Sequence, residues 1–155
     1  QVVAVDIDQV NGLKTVQMSE DQGGDALFIH ANIAQAGDCE NMIRRTLEHY
    51  GKLDVLFNNA GIMHPDDSHA TDTEENIWDM TMDINLKGVA YSAKAALPAM
   101  IEQGKGAIVM VSSINAISVS LCRETDPSGK MIKGRRACSR ISIAAPIAAL
   151  SIPSR

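Results

Sequence analysis

Leu53-Asp54-Val55-Leu56-Phe57 followed by Asn58-Asn59-Ala60-Gly61 is the stretch that decides the fold. The first five residues are largely apolar, as a buried strand requires. The next four end the run abruptly with two amides and two small residues. In a parallel α/β sheet, ligands bind in the crevice outside the carboxyl ends of the strands. Residues as small as Ala60 and Gly61 let a flat ring approach the backbone closely. The turn therefore reads as the floor of a nucleotide site.

Working outward, the chain alternates strand-like and helix-like segments. Val2 to Val5 is short and all-apolar, and it ends at Asp6, as expected of a buried parallel strand. Residues 9–21 are polar and only weakly helical. Ala26-Leu27-Phe28-Ile29 is a second strand. Residues 37–50 form a helix with Met42, Ile43, Leu47 and Tyr50 on one face, stopped by Gly51. Thr71-Asp72-Thr73-Glu74 reads as a capping box. It opens a long helical region with Ile77, Met80, Ile84 and Leu86 on or near one stripe, which Pro98 should kink or end. Ala107 to Val111 is a fourth strand, followed by Ser112-Ser113. Strands alternating with helices of this length imply right-handed parallel βαβ units.

The pattern fails beyond Ser118. Residues 1–118 carry 7 Lys and Arg against 17 Asp and Glu, whereas residues 119–155 carry 7 against 2. The chain thus divides into a partial dinucleotide-binding domain, 1–118, and an aberrant basic tail, 119–155, expected to be poorly ordered. The overall charge of −5 offers nothing to nucleic acid or to an anionic membrane. The basic run from Lys130 to Arg140 has no aromatic residues for stacking on bases. No stretch of 18 apolar residues occurs, and no basic-then-apolar leader opens the sequence. Cys39, Cys122 and Cys138 show no Cys-x-x-Cys spacing and read as reduced thiols, which places the protein in the cytoplasm.

Four places could carry chemistry. Asp6, at a strand end, can accept hydrogen bonds from a ribose diol and would repel a 2′-phosphate, favouring NAD over NADP. Asn85 lies inside the long helix, where its side chain competes for backbone hydrogen bonds; it either holds a water at a kink or is exposed. Ser113, at the end of the fourth strand, can reach a substrate carbonyl or a developing alkoxide. Asn59, Ala60 and Gly61 complete the crevice. Tyr91, despite Lys94 nearby, reads as a helix packing residue. The His64 to His69 segment reads as a polar loop and supplies no metal site.

In that order and spacing, Asp6, Asn58-Asn59-Ala60-Gly61, Asn85-x-x-Gly88, Leu97-Pro98-x-Met100 and Ser112-Ser113 resemble the short-chain dehydrogenase/reductase family. The resemblance runs from residue 1 to about 118. It implies an α/β fold, a Rossmann-type doubly wound parallel sheet in three layers. It also implies an NAD(P)-dependent oxidoreductase that moves a hydride between a nicotinamide and a small alcohol or ketone. By resemblance, Asp6 would hold the adenosine ribose with Ile7 beside it. Asn32 and Ile33 would flank the adenine, and Asn59, Ala60 and Gly61 would line the cofactor crevice. Asn85 would anchor the water of a proton relay, and Ser113 would orient the substrate oxygen. The parent would be a homo-oligomer packed through the helix at 73–103.

Two departures weigh on activity. The glycine-rich turn that cradles the pyrophosphate, and the first strand before it, are expected upstream of Gln1. The resemblance places the tyrosine of a Tyr-x-x-x-Lys pair near position 126, where this chain has Asp126, and no tyrosine follows Tyr91. Lys130 falls near the lysine position but has no phenol to tune, and an ionised Asp126 has no proton to give near neutral pH. Codons for Lys133 to Ser139 can be chosen so that a one-base shift reads Lys-Gly-Ala-Val-Leu-Ala-Leu, so a frameshift or mis-spliced message is the expected origin of the tail. An uninterrupted native reading frame in gene and transcript would sink that origin. The expectation is a fragment of low stability, inactive alone. The alternatives are a non-catalytic remnant pairing with intact subunits and a weak binding module for another adenine nucleotide.

Overall fold

Val2–Asp6 forms β1, and Asp8 then starts the first helix with its own carboxylate, which accepts from Val10 N at 2.9 Å and Asn11 N at 3.1 Å. That cap carries α1 (Gln9–Glu20) through a segment of weak helical character. The structure, a computed structural model, describes residues 1–68, 71–112 and 150–151. The order continues with β2 (Ala26–His30), α2 (Ala36–Tyr50), β3 (Val55–Asn58) and α3 (Glu75–Met82). A π-helical turn (Asp83–Gly88), α4 (Val89–Glu102), β4 (Ala107–Met110) and the two-residue β5 (Leu150–Ser151) complete it. The tail expected at 119–155 lies outside the described residues apart from β5, which pairs antiparallel with β4.

The strands form two sheets. β1 pairs parallel with β2, from Val2–Ala26 to Asp6–His30, and β3 pairs parallel with β4, from Val55–Ala107 to Asn58–Met110. β1 and β3 do not pair with each other. The two halves are held together by the helical layer. Ile29, Met42, Ile43, Cys39, Ala96, Met100 and Ile108 make one buried cluster from β2, α2, α4 and β4, with Val3, Val5 and Leu56 packed against it. Both halves point the same way. Their amino ends meet where Tyr50, at the end of α2, donates to Asp25 before β2, at 3.0 Å. Their carboxyl ends meet at the π-turn, where Asn85 holds Ile62 and Gly88 lies against Ile33.

α1 covers the opposite face of the first sheet. Gly12 is there because a Cβ would fall inside the ring of Phe28. Among the described residues no helix covers the same face of the second sheet, where Val55, Phe57 and Met110 are at least half exposed. The doubly wound parallel architecture is thus present, and among the described residues its third layer covers β1 and β2.

Four local expectations need correction. The third strand begins at Val55 rather than Leu53, because Gln103 clamps Leu53 from the side: its Oε1 accepts from Leu53 N and its Nε2 donates to Leu53 O, each at 2.9 Å. The capping box does not form. The helix starts at Glu75 with Glu74 uncapped by any side chain, while the hydroxyl of Thr71, the expected cap, donates to Asp72 Oδ1 at 3.0 Å. Pro98 does not end the helix, which runs to Glu102, with Gly104 at φ 71° closing it. The stripe Ile77, Met80, Ile84, Leu86 also breaks. Ile77 is buried while Met80, within the same α-helix, is 40% exposed, and Leu86, in the π-turn of different pitch, is 57% exposed.

Candidate active site

β1 and β3 end side by side, and the gap between them is a cavity of about 570 Å³. Asp6 borders it from one strand and Asn58, Asn59 and Ala60 from the other, with Ile33 from the β2–α2 connection. The cavity brings together five residues separated by up to 54 positions in the chain.

Asp6 is exposed, and its Oδ1 accepts from Asp8 N at 2.9 Å. That bond fixes the carboxylate at the mouth of the crevice. Asp8, one turn on, is held below the usual carboxylate range by the Asn11 backbone N–H at the start of α1. Because the Asp8 carboxylate already occupies the first N–H groups of α1, this helix start is not a seat for phosphate. Ile7 between them is 60% exposed.

The turn after β3 is tied down from the long helix. Asn85 Oδ1 accepts from Ile62 N at 2.8 Å while its Nδ2 donates to Ile62 O at 2.8 Å. One amide side chain thereby pairs with one peptide unit as a neighbouring strand would. A Cβ on Gly61 would stand 3.2 Å from Asn85 Oδ1, so the glycine gives the room for this approach. The π-turn presents Asn85 to that loop; Gly88, one turn later, is buried against the Ile33 side chain and carbonyl.

Asn32 is less free than the sequence suggests. Its Oδ1 accepts from Ala34 N at 3.0 Å, and its own backbone N donates to Asp38 Oδ2 at 2.8 Å. The amide oxygen retains one lone pair for an adenine amine. Ser113 and His69 lie outside the described residues, as do Asp126 and Lys130. Tyr91 is half-buried against the central cluster, as a packing residue should be. His64 accepts from Asp66 N at 3.2 Å within its own loop, and no metal-ligating cluster occurs among the described residues. Cys39 is fully buried beside Ser92, and burial pushes its thiol up from the ordinary range, away from nucleophile chemistry.

The sequence reading placed Asn58 in the turn but not its buried orientation. Asn58 is 9% exposed, and its Nδ2 has no hydrogen-bond partner. The alternation was the available signal: Asn58 shares its face with Leu56, so its amide points inward rather than to the mouth.

Tested against a dinucleotide, the residues present fit its ribose and flat rings. A carboxylate stands at one strand end and small residues with an anchored loop at the other. Among the described residues there is no glycine-rich helix start for the pyrophosphate. No helix among them is long and apolar enough to cross a membrane.

The family model of short chain dehydrogenases matches residues 1–123. The chain is 39% identical over 113 residues to an uncharacterized oxidoreductase of Thermotoga maritima, covering 73% of this chain and 43% of that protein. It is 40% identical over 118 residues to the short-chain dehydrogenase reductase 3b of Arabidopsis thaliana, covering 75% and 44%. The crystal structure of a 3-ketoacyl-ACP reductase from Sinorhizobium meliloti superposes with a TM-score of 0.68 at 28% identity, over 73% of this chain and 44% of that one. The chain therefore spans less than half the length of these relatives.

Proposed function

Because the chain belongs to the short-chain dehydrogenase/reductase family, we propose that it is the nucleotide-side portion of an oxidoreductase acting on a small alcohol or ketone, and that its 155 residues alone turn nothing over. The observation that carries this is the shared crevice of Asp6 and Asn58 to Ala60, with the following loop held by Asn85. A bound nicotinamide cofactor would supply the hydride acceptor or donor. The chain's own residues divide the remaining work. Asp6 takes the ribose hydroxyls and disfavours a 2′-phosphate, so NAD is preferred over NADP. Asn59, Ala60 and Gly61 give the rings a flat, close surface, while Asn85 keeps that surface in place. Ser113 would orient the substrate oxygen.

Proton transfer is what the chain lacks. A general acid must hold a proton near the working pH and stand within reach of the oxygen it protonates. Asp126 stands where the resemblance puts the tyrosine and is ionised at neutral pH. Calorimetric titration with NAD, NADP and ADP, beside NADH oxidation against a panel of ketones, tests the reading. Weak binding of NAD above NADP and no turnover are expected. Measurable turnover by this chain refutes the inactive reading, and tight binding of ADP with none of NAD favours an adenine-nucleotide module instead.

A second reading rests on a separate observation. Trp78, Met82 and Leu86 are 43–57% exposed along α3 and the π-turn, an outward apolar strip on the 73–103 segment. It supports association of this chain with other subunits of the family, read by co-purification with a full-length relative.

A further inference from the structure

We propose that Asp8 is a second specificity-determining residue of the crevice, which turns away a nucleotide carrying a 2′-phosphate by holding a fixed negative charge beside Asp6. The inference rests on the reading that Asp6 takes the ribose, and it gives the cap of α1 a task beyond starting a helix. β1 ends at Asp6, whose Oδ1 accepts from Asp8 N at 2.9 Å. A ligand group bonded to the Asp6 carboxylate therefore lies only one backbone N–H and one side chain away from the Asp8 carboxylate. That separation is of the order of the Debye length, about 8 Å at physiological ionic strength. Both carboxylates thus act on the same ligand group.

The Asp8 charge is held in place from three sides. Its Oδ1 accepts from Val10 N at 2.9 Å and from Asn11 N at 3.1 Å, and its Oδ2 accepts from Asn11 Nδ2 at 2.7 Å. The Asn11 backbone N–H, foremost among these, keeps the carboxyl below the usual carboxylate range, so the acid is ionised at neutral pH. These bonds also change what α1 offers a ligand. A free helix start attracts phosphate with its open N–H groups and the positive end of its dipole. Here a carboxylate of the chain itself takes that place, and a 2′-phosphate brought to Asp6 meets repulsion where it would otherwise meet attraction. The segment from Asp6 to Leu13 contains no Lys or Arg to offset the charge, and Lys14 stands in the second turn of α1. A ribose with a free 2′-hydroxyl carries no charge for Asp8 to repel, so the effect falls on the phosphorylated nucleotide alone.

The test compares adenosine 5′-monophosphate with adenosine 2′,5′-bisphosphate, which differ only in the 2′-phosphate, on the full 155-residue chain. His30 lies opposite Asp6 in the ladder, so the assay is set at a pH of about 8, where an imidazole is uncharged. Asp8→Asn and Asp8→Ser remove the charge while remaining good helix caps, so α1 should persist in both. Amide shifts of Ile7 and Asn11 follow the binding. At an ionic strength of about 10 mM, both variants are expected to bind the bisphosphate about fivefold more tightly than the parent, with monophosphate affinity changed less than about twofold. At about 1 M the Debye length shrinks to about 3 Å, and the gain should fall below about twofold. Asp6→Asn is the control for the reading beneath. If it shifts the ratio of the two affinities and neither Asp8 variant does, the proposal falls and the ribose reading stands. If no variant shifts the ratio, or neither probe binds at millimolar concentration, the ribose reading falls and takes the proposal with it. A gain that survives high salt reflects a change of shape rather than of charge, and overturns the proposal as well.

Discussion

Replacing Asn85 tests the link between the long helix and the crevice. Its side chain makes two hydrogen bonds to the Ile62 peptide unit, both at 2.8 Å, in an exposed setting. Each contributes about 1 kcal/mol net. Asn85→Ala forfeits both and regains about 0.7 kcal/mol of helix propensity. The expected loss is about 1 kcal/mol, or a fall in melting midpoint of about 4–8 °C. Asn85→Asp is the sharper variant. One oxygen still accepts from Ile62 N, but the other now faces the Ile62 carbonyl without a proton, so at pH 7 the loss rises to about 2 kcal/mol. Protonation restores a donor, so the introduced carboxyl has a folded-state pKa above its unfolded value. Such a group contributes stability that is fully present below the unfolded pKa and is lost as pH rises through the folded one. The deficit of Asn85→Asp relative to the parent should therefore shrink as pH falls from 7 toward 4. Paired urea melts at each pH, with exchange of the Ile62 amide, give the readout. A deficit that is flat with pH, or an Ile62 amide unaffected by Asn85→Ala, would refute the clamp.

Gly12→Ala should destabilise by about 1–3 kcal/mol despite its better helix propensity, because Phe28 must leave its place over α1; urea melts should show most of the loss recovered in Gly12→Ala with Phe28→Leu. Asp54 is held below the usual carboxylate range, first by the Lys52 hydrogen bond and then by Lys105. Its contribution is present above the unfolded pKa of about 3.9 and is lost as pH falls through the lower folded value, so the melting difference between parent and Asp54→Asn should vanish in that acid range. If Asp6 takes the ribose, Asp6→Ala should lower the NAD-to-NADP affinity ratio by about tenfold in competition binding. With β1 and β3 in separate sheets, the chain should melt below about 50 °C or without cooperativity.

What could be read in the sequence was whatever a single strand or turn declares by itself. The Asn58 to Gly61 turn marked the crevice because strand, amides and small residues are contiguous. Gly51 marked a helix end because φ of 70° is open to glycine, and there it closes α2 with its N–H on Leu47 O. What escaped depends on side-chain hydrogen bonds, some to partners far away in the chain. Gln103 replaces a strand pairing at Leu53 from 50 residues off. Thr71 looked like half of a capping box, but its hydroxyl donates to Asp72 beside it, and the helix starts only at Glu75. Asn85 was read as water-holding or exposed, and only its approach to Ile62 across 23 residues shows what the side chain does. The segment at 9–21 read as only weakly helical because its cap, Asp8, declares itself only through its hydrogen bonds to Val10 N and Asn11 N.

The absence of pairing between β1 and β3 also shapes how this molecule comes apart. Sheet hydrogen bonding does not cross from one half to the other, so the joint is the apolar contact of α2 and α4 with both sheets. Residues 1–30 are a self-contained βαβ unit whose contacts are close in sequence, and such units form and open as cooperative blocks. Native-state exchange should therefore sort the amides into two classes with different opening free energies, the ladder of β1 and β2 in one and that of β3 and β4 in the other. The molecule behaves as two foldons sharing one helical seam.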